Sequence, residues 1–244
     1  VNVLNNAGFG VPNALVHITN TDVTPDIDVT AVTDTSGNLM FPGAPASVQG
    51  YHITVSKGGY YGNRTYNPYP TSVFKPTNVH ASVVAGSLTA ATLVADRTST
   101  LEIQTEDPFG TALPDIDFII DGGLVIGSDA GTSAPIYDFT QTTTTDSSGE
   151  KEFSDRSSGN YILTLGSSAA AQYEFLRLDP EEAVQNSINL AADDSKTVKY
   201  VLAQKNLRSV LITVKSSIDG TSLSGASVRL HNTTLGFDTT LSTD

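Results

Sequence analysis

Short runs of alternating apolar and polar residues recur along the chain, each broken by Gly, Pro, Asn or Asp. In the run 15–19, a two-residue period places Leu15 and His17 on one face of an extended strand and Val16 and Ile18 on the other. The run 51–56, Tyr-His-Ile-Thr-Val-Ser, alternates in the same way, and so do runs at 101–105, 116–120, 161–165, 196–202 and 210–214. Helical periodicity is weak throughout. A short helix or turn is expected only near 175–183, around Asp179-Pro180. This pattern predicts an all-β protein of many short strands joined by polar turns.

The strands follow a repeated plan. Thr33-Asp34-Thr35-Ser36-Gly37 returns as Thr145-Asp146-Ser147-Ser148-Gly149 and begins again at Thr243-Asp244. Asp34 opens a type I turn, and Gly37 supplies the positive φ that closes it, with a bulge, into a hairpin. Each of the two complete turns follows a Thr-containing strand and precedes a Phe strand (39–41 in the first copy) and a Tyr strand. The spacing of the copies, about 100 residues, suits sandwich modules, each large enough for its own core. The expected modules are 1–98, 99–207 and the incomplete 208–244. The joints at 96–100 and 205–209 carry no Gly/Ser run, so a stiff rod is expected. The stretches 57–78 and 122–140, rich in Gly, Ser, Thr, Tyr or Asn, are expected to be exposed connections. Val1 falls inside an alternating strand and Asp244 inside a turn, so the chain is expected to be part of a longer protein.

Composition narrows the function. The formal charge is −13, from 26 acidic and 13 basic residues, and the basic ones are scattered. A nucleic-acid binder needs a basic stripe to neutralise phosphates, and none is present. Cysteine is absent, which excludes thiol chemistry and leaves the redox compartment open. No apolar run approaches the ~18 residues of a membrane helix.

The pattern Val-Pro-Asn-Ala-Leu-Val-His-Ile-Thr-Asn at 11–20, the phrase Thr-Asp-Thr-Ser-Gly-Asn-Leu-Met-Phe at 33–41, and Tyr-His-Ile-Thr-Val-Ser-Lys-Gly-Gly-Tyr at 51–60 resemble the carboxypeptidase regulatory-like domains. These belong with the transthyretin-like and collagen-adhesin B-type modules. Leu-Ser-Gly-Ala-Ser-Val-Arg-Leu at 223–230 is similar over its shorter span. The resemblance implies tandem Ig-like, transthyretin-like Greek-key β-sandwiches of about seven strands each. It also implies spacers, stalks, adhesins or appendages as the setting. Some B-type modules carry an internal Lys–Asn isopeptide bond whose Lys lies on the opening strand. The opening strands 1–5 and 101–107 hold no Lys, so that bond is not expected there, while Lys215 stands at the corresponding place in the third copy.

Candidate sites are few. His17, His52, His80 and His231 lack the spacing of a zinc peptidase, and His17 and His52 read as ordinary strand residues. Neither a Gly-x-Ser-x-Gly elbow nor a phosphate-binding loop is present. Asp22, Asp26 and Asp28 share one loop, and Asp115 and Asp117 open a strand. Calcium takes roughly six to eight oxygens, so Asp26 and Asp28 are candidate ligands; turn-forming Asp is the plainer reading. The densest aromatic stretch, 60–70, offers Tyr61, Arg64, Tyr66 and Tyr69 for stacking on sugars or contacting a protein, or for packing the connection onto its sheet. Asn63 and Asn232 fit the N-glycan acceptor pattern. These features favour a non-enzymatic extracellular or cell-surface module array: a stalk, adhesin or filament subunit. Its partners would be neighbouring modules or subunits, with a surface glycan or protein as further candidates. The alternative is a carbohydrate-binding accessory region of a secreted hydrolase.

Overall fold

A computed structural model describes residues 1–67, 73–184, 186–205, 212–232 and 237–243, with the side chains of Asn232 and Phe237 excluded. The chain divides into two compact units, Val1–Lys205 and Asn206–Asp244.

The fold is all-β, and the larger unit holds two β-sandwich cores. The strands contributing to the first are β1 (Asn2–Leu4), β2 (Leu15–Asn20), β3 (Ile27–Val32), β4 (Ser47–Lys57), β5 (Tyr60–Arg64), β6 (Ala81–Val83) and β7 (Thr92–Val94). One layer runs β3-β2-β4-β5, with β6 also pairing β4; the other is the parallel pair β1-β7. Alternation sets the inside face. Val16, Ile18, Ile53 and Val55 are buried against Val3 and Leu93, while Leu15 turns outward.

The strands contributing to the second core are β8 (Ser99–Glu106), β9 (Asp117–Ser128), β10 (Pro135–Thr144), β11 (Glu150–Arg156), β12 (Gly159–Leu165), β13 (Tyr173–Asp179), β14 (Ser187–Leu190) and β15 (Ser195–Gln204). A short helix, α1 (Ser167–Gln172), precedes β13. The layers run β10-β9-β12-β14 and β11-β8-β15-β13. The opening strand β8 pairs in parallel with the closing strand β15, as β1 does with β7. Phe118, Phe153, Phe139 and Tyr161 fill this core edge-to-face, with ring centroids 6.0–6.3 Å apart.

The repeated turn has the same bonding in both copies. Asp34 Oδ1 accepts from the N–H of Ser36 and of Asn38, both at 2.8 Å. Asp146 Oδ1 accepts from Ser148 N at 2.8 Å and Glu150 N at 3.0 Å. Gly37 and Gly149 hold φ of 77° and 78°, and a Cβ on Gly37 would stand 2.3 Å from Val3 O. The Thr before the Asp turns inward. Thr33 Oγ1 accepts from Ala14 N at 2.9 Å and donates to Val11 O at 2.7 Å. Thr145 Oγ1 accepts from Ile116 N at 3.0 Å. In the smaller unit Thr243 Oγ1 accepts from Ala226 N at 2.9 Å and donates to Leu223 O, below the hairpin of β16 (Ser227–Asn232) and β17 (Phe237–Ser242). The Thr of the phrase thus satisfies a backbone N–H that the second strand leaves unpaired where it begins, buried in the first two copies.

Several expectations need correction. The stretch 175–183 does not form a helix: β13 occupies its start, and the helix lies earlier, at Ser167–Gln172. Asp117 accepts amide bonds from Ser168 and Ala169 at the start of that helix, so its carboxylate serves there as a local acceptor. No strand forms at 39–41; a single bridge joins Asn2 to Asn38, and Pro42 and Pro45 lack the N–H needed to extend it. The insertion 122–140 is not a loop: most of it is an extended β9–β10 hairpin, whose strands pair from Asp117 to Ser128. Part of 57–78 is likewise strand β5. In the third copy, 212–214 is irregular, and Lys215 bridges Ser222. No described helix is long and apolar enough to cross a membrane.

Candidate functional site

The residues between β7 and β8 are held on both sides. Tyr61 N donates to Asp96 O at 2.8 Å, and Thr98 N to Gly59 O at 3.1 Å, so the β4–β5 turn clasps the linker. The Asp96 side chain is buried and joins both sandwiches. Its Oδ1 accepts from Asn6 N at 2.9 Å and its Oδ2 from Ser158 Oγ at 2.7 Å; Asn6 Nδ2 closes the ring by donating to Ser158 Oγ at 2.8 Å. Arg97 lies 5.5 Å from the centre of the Tyr60 ring, and Lys57 lies 4.5 Å from it.

A second contact lies along β9. Residues 118–123 of that strand pair with β12, but 124–128 run on past it. The free edge of this overhang is taken by the chain that follows β5. Ser128 N donates to Phe74 O at 2.9 Å, Thr77 N to Ile126 O at 2.9 Å, and Thr77 Oγ1 to Val125 O at 3.0 Å. Val73 is buried there, 2.5 Å from where a Cβ on Gly127 would stand. Only glycine at 127 admits this approach.

A third contact is polar and half-buried. The Tyr61 hydroxyl donates to the Asp138 carboxyl on β10. Asp138 Oδ1 also accepts from Leu124 N at 2.9 Å, beside Ser157 Oγ at 3.0 Å from the same N–H. Burial, then the bond to Asp138, raises the pKa of Tyr61, so the phenol stays protonated and donates. Burial also raises the pKa of Asp138, opposed by its bonds from Tyr61 and Leu124. Arg156 stands 4.2 Å from the Phe139 ring on the same side.

The candidate residues separate accordingly. Tyr61 belongs to the joint and is not a free stacking platform. Arg64 covers the Tyr66 ring at 5.0 Å, so those two face each other. Tyr69 lies outside the described residues. Asn63 is buried; its Nδ2 donates to Val94 O at 2.8 Å, so the nitrogen a glycan needs is turned inside. The side chain of Asn232 lies outside the described set. Asp28 Oδ1 meets His17 Nε2 at 2.8 Å, Asp26 is exposed, and among the described residues no three His, Cys, Asp or Glu converge on a metal position. His52 is not an isolated strand residue: its ring packs 4.8 Å from that of His80. Sequence reasoning overlooked Asn6, Asp96, Asp138 and Gly127. A glycine inside a strand was the one available signal.

No family model and no curated protein matches the chain. Among solved structures, the TIE protein of Bacillus anthracis is similar at 15% identity and TM-score 0.30, over 100% of this chain and 40% of that one. The minor pilin GBS52 of Streptococcus agalactiae is similar at 14% identity and TM-score 0.32, over 84% of this chain and 88% of that one. A streptococcal ancillary pilin gives 14% and 0.32, over 82% and 60%. The chain thus spans about two fifths of the TIE protein's length.

Proposed function

We propose that this chain is a non-catalytic structural element: tandem sandwich modules at 1–98, 99–207 and 208–244, of the carboxypeptidase regulatory-like kind, in an extracellular surface protein such as a stalk, adhesin or pilus subunit. Its task is to hold successive sandwiches at a fixed angle, so that a distal element stays extended. The observation that carries this is the pairing of 74–77 with the overhang of β9. Modules joined by a bare linker move freely by default. Here main-chain hydrogen bonds run from one sandwich to the next along the β9 edge, while others fasten the linker to the β4–β5 turn, so bending about the linker is opposed at both places. A buried carboxylate shared by Asn6 and Ser158 adds a third restraint.

The test uses the absence of native cysteine. Spin labels at Thr30→Cys and Thr197→Cys, both exposed, report the distance between the two sandwiches. A narrow distance distribution by electron double resonance is expected. A broad one, as from a freely jointed pair, overturns the reading.

A further inference from the structure

On the outer face of the first sandwich, two histidines distant in sequence are brought together. His52 lies on β4 between the buried Tyr51 and Ile53, so its ring points away from the core. His80 directly precedes β6, and its backbone N–H donates to Tyr66 O at 3.0 Å. The ring centroids are 4.8 Å apart and the planes are tilted by 55°. Two imidazoles bound to one ion at ordinary metal–nitrogen distances have centroids about 4.5–5.2 Å apart, for ligand angles from octahedral to tetrahedral. The observed spacing falls in that window.

The ring nitrogens are also disposed to bind. His80 Nδ1 lies 2.8 Å from Thr65 Oγ1, and Thr65 is buried and already accepts from Ile53 N at 2.9 Å. That bond fixes the His80 ring and leaves Nε2 as its available nitrogen, the arrangement by which a supporting hydroxyl orients a metal-binding imidazole. Among the described residues, neither His80 Nε2 nor either nitrogen of His52 has a hydrogen-bond partner. Burial, with Arg64 and His17 nearby in the case of His52, lowers the pKa of both rings and keeps their lone pairs free near neutral pH.

We propose that His52 and His80 form a chelating pair for a divalent transition-metal ion, the class of Cu²⁺, Ni²⁺ and Zn²⁺. Imidazole donors select these ions over Ca²⁺ or Mg²⁺, which take oxygen. With no third His, Cys, Asp or Glu converging among the described residues, water completes the shell. The chain's formal charge of −13 favours a cation generally, whereas Arg64 opposes it locally, so the affinity expected is micromolar. The ion would pin the chain before β6 to β4, and so stabilise the first sandwich.

The full chain is titrated with NiCl₂, CuCl₂ and ZnCl₂ at pH 7.5 by calorimetry, with Tm followed in parallel. One ion per chain is expected, with a Tm that rises for these salts and stays unmoved by CaCl₂ or MgCl₂. His52→Ala, which breaks no hydrogen bond, is expected to weaken binding by about tenfold or more. His80→Ala is expected to do the same, and His17→Ala is not. Binding is expected to fade below about pH 6, as protons compete for the rings. Equal affinity in His52→Ala and wild type overturns the proposal, as does a wild type that shows no saturable binding up to millimolar metal. If His80→Ala fails to fold, His52→Ala decides alone.

Discussion

The two sandwiches of the larger unit share a turn, a buried Thr and a parallel pairing of opening and closing strands, yet they are closed to different degrees. In the second, β8 and β15 are flanked by β11 on one side and β13 on the other, and the layer has four strands. In the first, β1 and β7 stand as a pair, and the segment that corresponds to β11 is interrupted by Pro42 and Pro45. An apolar cleft of about 330 Å³ results, lined by Ile18, Leu39, Phe41, Tyr51, Val83 and Leu88 among others. Among the described residues, the buried core of the second sandwich has fifteen residues against ten in the first, and it carries the aromatic cluster. Fold identity therefore sits in the turn and the strand order, while stability depends on how completely each layer is flanked. The first sandwich is expected to be the weaker, with the joint lending it support from the second.

The largest way to break that ranking is Phe118→Ala. Phe118 is fully buried and meets Phe153 edge-on, so the variant is expected to lose about 3–5 kcal/mol. Urea unfolding with one probe in each sandwich would then show the second melting no later than the first. Thr33→Val and Thr145→Val sharpen the comparison from the other side. Each strands the buried N–H of the second strand, of Ala14 or of Ile116, and each is expected to cost about 1–3 kcal/mol. A null result for either would mean that the shared Thr is not what anchors its hairpin.

Gly127→Ala addresses the joint alone. The new Cβ would stand 2.5 Å from Val73 Cγ1 and 2.8 Å from Phe74 O, so 73–77 is expected to lift off β9 at a cost of about 1–3 kcal/mol. The interspin distance distribution should broaden while the unfolding of the second sandwich barely changes. Smallest is the pH effect at Asp138. Its folded-state pKa is raised by burial, so the stability it contributes is present below the unfolded carboxyl value and is lost as pH rises through the folded one. Asp138→Asn removes that dependence. Its urea midpoint relative to wild type is therefore expected to climb as pH rises from about 4 toward neutrality; a flat or falling difference would deny the buried-carboxyl reading.

The joint was poorly legible beforehand. The runs 57–78 and 122–140 have the Gly, Tyr, Ser and Thr content of exposed connections, and composition alone does not distinguish a solvated loop from one strand edge lying on another. Tyr61 looked like a free aromatic because its partner Asp138 is far away in the chain. Asn63 matched a glycan pattern, but its burial depends on β5 lying beside β7. Asp28 looked like an oxygen ligand until β2 and β3 paired and set it opposite Thr19, within diagonal reach of His17.

Local chemistry was sufficient for most of the alternating strands and for the Thr-Asp-x-Ser-Gly turn, because a period of two and a positive φ are properties of neighbouring residues. Only the assembled sheets decided that β9 overhangs its own sandwich, that Asp96 links Asn6 to Ser158, and that His52 meets His80. Those contacts join residues far apart along the chain, and alternation encodes only inside and outside, so each partner was set when the layers closed.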